Sequence, residues 1–275
     1  MTGAPRPERR RDHRTPASRP RLARIGLGAL GIAGVGLGFE LIPRIGLVSP
    51  RYLPPTTAML GALGREAATA AFWWALLDTL EGWALGLAIA VAAGMVVGAV
   101  IGSRRGLRAA TASTIEFLRP IPSVALIPVA VLLYGAQLRS TLLLVVYASF
   151  WPVLLQVIHG VADLDPVARD TALSYRLSRW ATIRHLMLPT ALPYLLTGVR
   201  LSAAVALILA ITAELVIGSP GLGHEIEVAR ASSAVPLLYA LIFVVGLIGV
   251  AVNLGFRALE RRVLVWHPSV RREAA

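Results

Sequence analysis

Six apolar runs, at residues 22–42, 76–101, 123–137, 141–161, 192–217 and 235–256, constrain this chain more than any other feature. Most match the roughly 20 residues that an α-helix needs to cross the hydrocarbon of a bilayer. In lipid a backbone must satisfy its own N–H and C=O groups, and uninterrupted runs of this length do so as helices. The run at 123–137 is short and is interrupted by Pro128, with Pro120 and Pro122 just before it. A broken helix at membrane depth needs protein or cavity water for its freed backbone groups, so this run is expected inside a bundle. With 56% hydrophobic and 15% charged residues, a soluble domain is excluded. The expected fold is an all-α membrane protein with about six transmembrane helices. An arginine-rich tail at 1–21, poor in apolar residues, is expected to be disordered. A first helix with its outer connector occupies 22–75, a core 76–258 and a second tail 259–275.

All of the basic charge is arginine, since the chain contains no lysine, and the formal net charge is +12. With the N-terminus in the cytoplasm, one side holds the tail arginines from Arg6 to Arg24, then Arg104, Arg105 and Arg108. The arginines of 169–184 and 257–272 join them there. Arg44, Arg51, Arg65, Arg139 and Arg230 are left opposite. Arginine collects on the inner side of membrane proteins, so both termini of this multi-pass cell-membrane chain are expected in the cytoplasm. No nucleic-acid partner is expected, because the N-terminal tail has no aromatic residue on which a base could stack. The first run is expected to remain as an anchor, because Glu40, Leu41, Ile42 and Pro43 offer no small-residue cleavage site.

Without lysine there is no phosphate-cradling Walker loop, so any ATP must be bound by another subunit. His13, His159, His185, His224 and His267 are dispersed, and there is no cysteine, so no metal site is expected. No serine, histidine and carboxylate combination suggests a nucleophile either, leaving no catalytic residue and no bound cofactor to expect. Ionisable residues near or within the runs are functional candidates, because an unpaired charge in lipid is costly. They are Asp78, Glu81, Glu116, Arg200 and Glu214. Asp78 and Glu81 are expected to reach the outer interface from the start of their helix, and Arg200 to snorkel to the inner one. Glu214 precedes the glycine-rich segment 217–223 and is expected to hold that turn through backbone hydrogen bonds. Glycines four apart, at 82 and 86, 94 and 98, 98 and 102, and 34 and 38, make flat helix faces for close packing.

Between the fourth and fifth long runs lies a charged, proline-bounded connector. Asp165 suits a helix N-cap and Pro166 the first helical position, with Asp163 and Asp170 near the positive end of the dipole. Pro189 and Pro193 are expected to punctuate the chain before the next run. The segment near 165–189 therefore reads as a helical hairpin on one membrane face.

This connector resembles the coupling motif of ABC-importer permeases: Glu-Ala-Ala, three residues, Gly, nine residues, Ile, one residue, Leu-Pro. Asp170, Thr171 and Ala172 stand for the triplet, Arg176 for the glycine, Leu186 for the isoleucine, and Leu188 and Pro189 for the ending. Thr171 and Arg176 depart from the motif, the latter putting a bulky cation where the family makes a tight bend. The segments 117–128, 133–135 and 213–223 are similar to those of the nitrate, sulfonate and taurine permeases, in the same order. The resemblance implies a type I importer fold with a cytoplasmic coupling helix and a second permease copy. It also implies a cytoplasmic ATPase dimer carrying ATP and Mg, and an extracytoplasmic solute-binding protein. Pro120, Pro122, Gly135 and Glu214 are the candidates for the translocation path or its gate. An ion-coupled secondary transporter is the alternative from the residues alone, followed by a membrane assembly factor; a membrane-embedded enzyme lacks the required side-chain cluster.

Overall fold

In the computed structural model the described residues, 21–265, form helices and connecting turns. The expected tails at 1–21 and 259–275 lie largely outside them. The first helices are α1 (Arg21–Arg44), α2 (Thr56–Ala67), α3 (Ala70–Ser103) and α4 (Arg105–Leu118). A 3₁₀ turn (Ser123–Leu126) leads to α5 (Ile127–Tyr134) and then α6 (Leu138–Ala162). The connector holds α7 (Pro166–Ser174) and α8 (Arg179–Thr182). After a π-helical turn (Ile183–Met187) come α9 (Leu188–Ile217), α10 (Leu222–Ala231) and α11 (Val235–Val263).

The chain divides into two units, residues 1–57 and 58–275. In the first, α1 covers the first expected run, and the Glu40 carboxylate accepts from the Thr57 amide at 3.0 Å and the Thr57 hydroxyl at 3.1 Å. In the second, α3, α6, the continuous helix Trp180–Ile217 and α11 are each long and apolar enough to cross a membrane.

The glycine spacing of α3 sets how this bundle packs. Gly82 faces Thr141, Gly86 faces Val145, Gly94 faces Val153, Gly98 faces Val157 and Gly102 faces Val161. The numbers rise together at a constant offset, so α3 and α6 run parallel, backbone to backbone. A Cβ on Gly94 or Gly98 would lie 2.9 or 2.8 Å from the valine Cβ opposite, closer than carbon atoms tolerate. These pairs therefore serve packing within one chain. Gly34 and Gly38 meet no such neighbour.

Two parallel spans require the chain between them to recross the bilayer. That return is the broken pair Arg105–Leu118 and Ser123–Tyr134, bent by 77°. The expected short span at 123–137 is thus only the second half of a crossing that begins at Arg105. Pro120 and Pro122 stop α4 because each removes a backbone donor that a continuing helix would need. The run also lies less deep than expected, since Ala130 is buried while Leu132 is exposed.

α9 returns antiparallel to α6. Ser149 and Ser202 exchange hydroxyl-to-carbonyl hydrogen bonds at 3.3 and 2.6 Å, Gly198 sits against Gln156, and Gly160 against Tyr194. Two boundaries differ from the sequence expectation. α3 begins at Ala70, where the Thr69 hydroxyl accepts from the Phe72 amide at 3.3 Å, so Asp78 and Glu81 lie more than two turns inside it. Pro189 stands in the first turn of α9, but Pro193 lies inside it, and a π-helical turn at Ile183–Met187 lets helix run on from Trp180 to Ile217. Arg200, expected to snorkel, instead pairs with Glu260 of α11 at 3.0 Å.

Candidate functional site

The hairpin between α6 and α9 is built as its sequence requires. The Asp165 carboxylate accepts from the Val167 amide at 2.9 Å, with Pro166 in the first turn of α7. At the other end the Leu177 amide donates to the Ala172 carbonyl at 3.0 Å and the Arg176 amide to the Leu173 carbonyl at 2.9 Å. These are the two bonds of a Schellman helix stop, which needs a left-handed residue between them. Arg176 is that residue, with φ 51°. The cation at the motif's glycine position therefore takes a left-handed conformation that glycine would adopt without strain, at the energetic cost of a Cβ.

The side chains of α7 divide into two faces. Ala172 is only 6% exposed within its own chain, tucked under the turn that ends the helix. Thr171 spends its hydroxyl on the Val167 carbonyl at 2.8 Å. Asp170, Arg176, Leu188 and Pro189 are exposed, and Leu186 is half-buried. Four apolar side chains that the motif did not single out, Val167, Leu173, Tyr175 and Trp180, are at least two-thirds exposed. Single exposed apolar residues are ordinary, but several on a short charged hairpin mark an interaction surface. At the base of the hairpin the Tyr194 hydroxyl donates to Asp163 at 2.5 Å. Gly160 leaves room for the Tyr194 ring, so α6 and α9 enter the hairpin in direct contact.

At the opposite end of the bundle Glu214 is 1% exposed. Its Oε2 accepts from the Thr79 hydroxyl at 2.8 Å and from the Gly223 amide at 2.9 Å, and Thr79 in turn accepts from the Leu222 amide at 2.8 Å. Gly218 ends α9 in a left-handed conformation, and Gly221, at φ 145°, lies where a Cβ would strike the Glu214 carboxylate. Glu214 thus ties α9 to α3 and to the first turn of α10, a backbone role of the kind its sequence position suggests. Thr79 had no signal in the sequence, because a threonine in an apolar run reads as filler. Replacing Glu214 by alanine strands the Thr79 hydroxyl and Gly223 amide, each at about 1–3 kcal/mol. Glu214→Gln keeps an acceptor for both. Thermal unfolding in detergent is expected to fall sharply for alanine and little for glutamine; equal losses would show that the charge itself is needed.

The other path candidates spread along the broken crossing. Pro120 lines a cavity of about 610 Å³ between α3, α4 and α6, and Pro122 precedes the 3₁₀ turn. Gly135 ends α5 at φ 69°, and the Ser140 hydroxyl donates to its carbonyl at 2.6 Å. Glu214 lines a separate cavity of about 290 Å³ at the other end, beside Asp78, Glu81 and Ser219. The structure does not gather the four candidates into one site. Among the described residues there is no cluster of histidines and carboxylates that could hold a metal.

Comparison with known proteins places this geometry in context. The family described as "Binding-protein-dependent transport system inner membrane component" matches residues 84–265. The taurine transport system permease protein TauC of Escherichia coli K12 is 32% identical over 83% of this chain and 85% of its own length. SsuC of the same organism, named for aliphatic sulfonates transport, is 30% identical over 86% and 90%. RibX of Chloroflexus aurantiacus, named for riboflavin transport, is 32% identical over 80% and 82%. Among solved structures, the inward-facing MetNI methionine ABC transporter has a TM-score of 0.59 at 16% identity, covering 74% of this chain and 97% of that one. An amino acid ABC transporter solved with histidines reaches 0.60 at 18% identity, covering 73% and 97%.

Proposed function

This chain belongs to the binding-protein-dependent transport system inner membrane components, and from that membership we propose that it is the permease of an ATP-driven importer of a small sulfonate. An extracytoplasmic binding protein delivers the solute to the face that carries α10. A separate ATPase dimer, holding ATP and Mg, docks on the α7 hairpin, and a second copy of this chain completes the path. The single observation that carries the coupling reading is the hairpin itself. It has a capped helix, a left-handed Arg176 at the motif's glycine position and exposed Leu173 and Tyr175, and its base is tied across the ends of two spans by the Tyr194–Asp163 hydrogen bond.

The arginines support this sidedness. The parallel and antiparallel pairings put Arg104, Arg105, Arg108, Arg169, Arg184 and Arg257 at the hairpin end, and Arg65, Arg139 and Arg230 at the other. The inner excess favours a cytoplasmic hairpin. Taurine or an aliphatic sulfonate is the favoured solute because TauC and SsuC align over most of both chains. The similar identity to RibX makes the substrate an experimental matter.

The test is uptake in proteoliposomes holding the chain with its copurified ATPase and binding protein. Taurine, ethanesulfonate, nitrate and riboflavin are offered in turn. Uptake of a sulfonate that needs both ATP and the binding protein is expected. Uptake driven by a proton gradient without any ATPase would replace this reading with a secondary transporter.

A further inference from the structure

Arg119 and Glu116 are placed where charge is costly. The Tyr147 hydroxyl donates to the Leu118 carbonyl at 2.8 Å. Tyr147 lies nine residues into the 25-residue α6, about 13 Å along its axis from the outer end. The chain at Leu118 and Arg119 is therefore near the middle of that span, at the bend of the broken crossing. Both Glu116 and Arg119 are exposed, and among the described residues neither takes part in an ion pair or side-chain hydrogen bond. A guanidinium at such depth survives by facing water or a ligand.

What it faces is the 610 Å³ cavity, which runs from the bend to the hairpin end of the bundle. Arg108 stands at that end, one of its N–H groups donating to the Gly102 carbonyl at 3.1 Å. His159, in the last turn of α6, faces the same space. The Thr111 hydroxyl is spent on the Leu107 carbonyl at 2.8 Å, and Glu116 is the one carboxylate in the lining. The remaining walls, among them Ile115, Leu155 and Ile158, are apolar. A low-dielectric wall strengthens the field of the cations it surrounds.

We propose that this cavity is an oxyanion site, with Arg119 as its principal contact and Arg108 and His159 at its inner rim. A planar guanidinium offers paired donors to sulfonate, phosphate or carboxylate oxygens. Two sources share that chemistry: a sulfonate in transit, and the phosphate of an anionic lipid entering from the inner leaflet. The first rests on the transport reading above, and the second does not. Glu116, three residues before Arg119 in the last turn of α4, places a like charge beside a bound anion and opposes it.

The test uses the purified full-length chain in detergent, without ATPase or binding protein, so failed uptake and a failed site are separate results. Taurine, ethanesulfonate and inorganic phosphate are titrated by thermal shift, and retention of phosphatidylglycerol against phosphatidylcholine is counted by native mass spectrometry. Arg119→Gln is expected to weaken the bound oxyanion about tenfold or more. Glu116→Gln is expected to tighten it, a gain that misfolding cannot imitate. Arg257→Gln, on α11 and outside the cavity, serves as the control for diffuse positive charge. Dependence on Arg119 for the sulfonates identifies the solute as the source, and dependence for phosphatidylglycerol alone identifies the lipid; either sustains the site. No change with Arg119→Gln in a protein that melts like the wild type, or an equal loss with Arg257→Gln, overturns it.

Discussion

Gly98→Leu is expected to leave almost no folded protein in the membrane. The Cβ alone would lie 2.8 Å from the Val157 Cβ and 3.0 Å from the Leu154 carbonyl oxygen, and neither belongs to a flexible chain end. Relief requires α3 and α6 to separate along the contact that also holds Gly86, Gly94 and Gly102. Overpacking a tight core costs about 1–3 kcal/mol where neighbours can shift, and more where backbone must move. Without a hydrophobic force between helices in lipid, close packing supplies much of the association, so little remains to offset the loss. Gly246→Leu on α11, where nothing lies within 4 Å of an added Cβ, is the matched control. Monodisperse yield from detergent-solubilised membranes reads the difference. Normal yield of Gly98→Leu would mean that α3 and α6 do not pack in this register.

That register marks the limit of what the residues disclose. The apolar runs and the four-residue glycine spacing are local signals, and both lead to helices with a flat packing face. The partner of the face is not local. Nothing in α3 says that its glycines meet valines of α6 rather than a second copy of the chain, nor that the two helices run parallel. The parallel pairing in turn decides that the proline-broken segment from Arg105 to Tyr134 is one crossing, which a window on the run at 123–137 truncates. The prolines at 120 and 122 interrupt the helix as read, and Pro189 falls in the first turn of α9, where a missing donor costs little. Pro193 lies inside α9, and the π-helical turn before it, which lets the hairpin run on into the span, has no local signal.

The site divides in the same way. Asp165 and Pro166 are legible because a cap is made by neighbours in sequence. Glu214 is legible because glycines follow it closely, whereas Thr79 and Tyr194 come from distant helices and carry no signal of their own. Ala172 is buried under the chain's own helix end, a contact that carries no local signal, and the exposed apolar side chains beside it are the less distinctive Leu173 and Tyr175.

The strongest functional effect is therefore expected at those two side chains. Placing aspartate at Leu173 or Tyr175 puts a charge on an exposed apolar surface, which leaves the free permease stable but would bury an unpaired charge in a docked complex. Breaking a hydrophobic anchor in an interface costs about 2 kcal/mol or more, and a buried unpaired charge adds to it. The expected result is loss of the copurifying ATPase and of solute-stimulated ATP hydrolysis by about a hundredfold, with melting and membrane yield like the wild type. Arg176 supplies the internal control for fold against contact. Arg176→Gly relieves a left-handed non-glycine residue and is expected to raise the hairpin's stability, while Arg176→Val strains it further. If Arg176→Gly also keeps ATPase binding, the cation is dispensable and the turn is what matters. If it loses binding while remaining folded, Arg176 itself contacts the ATPase. Leu173→Asp and Tyr175→Asp proteins that still bind and stimulate the ATPase normally would remove the α7 face from the coupling surface altogether.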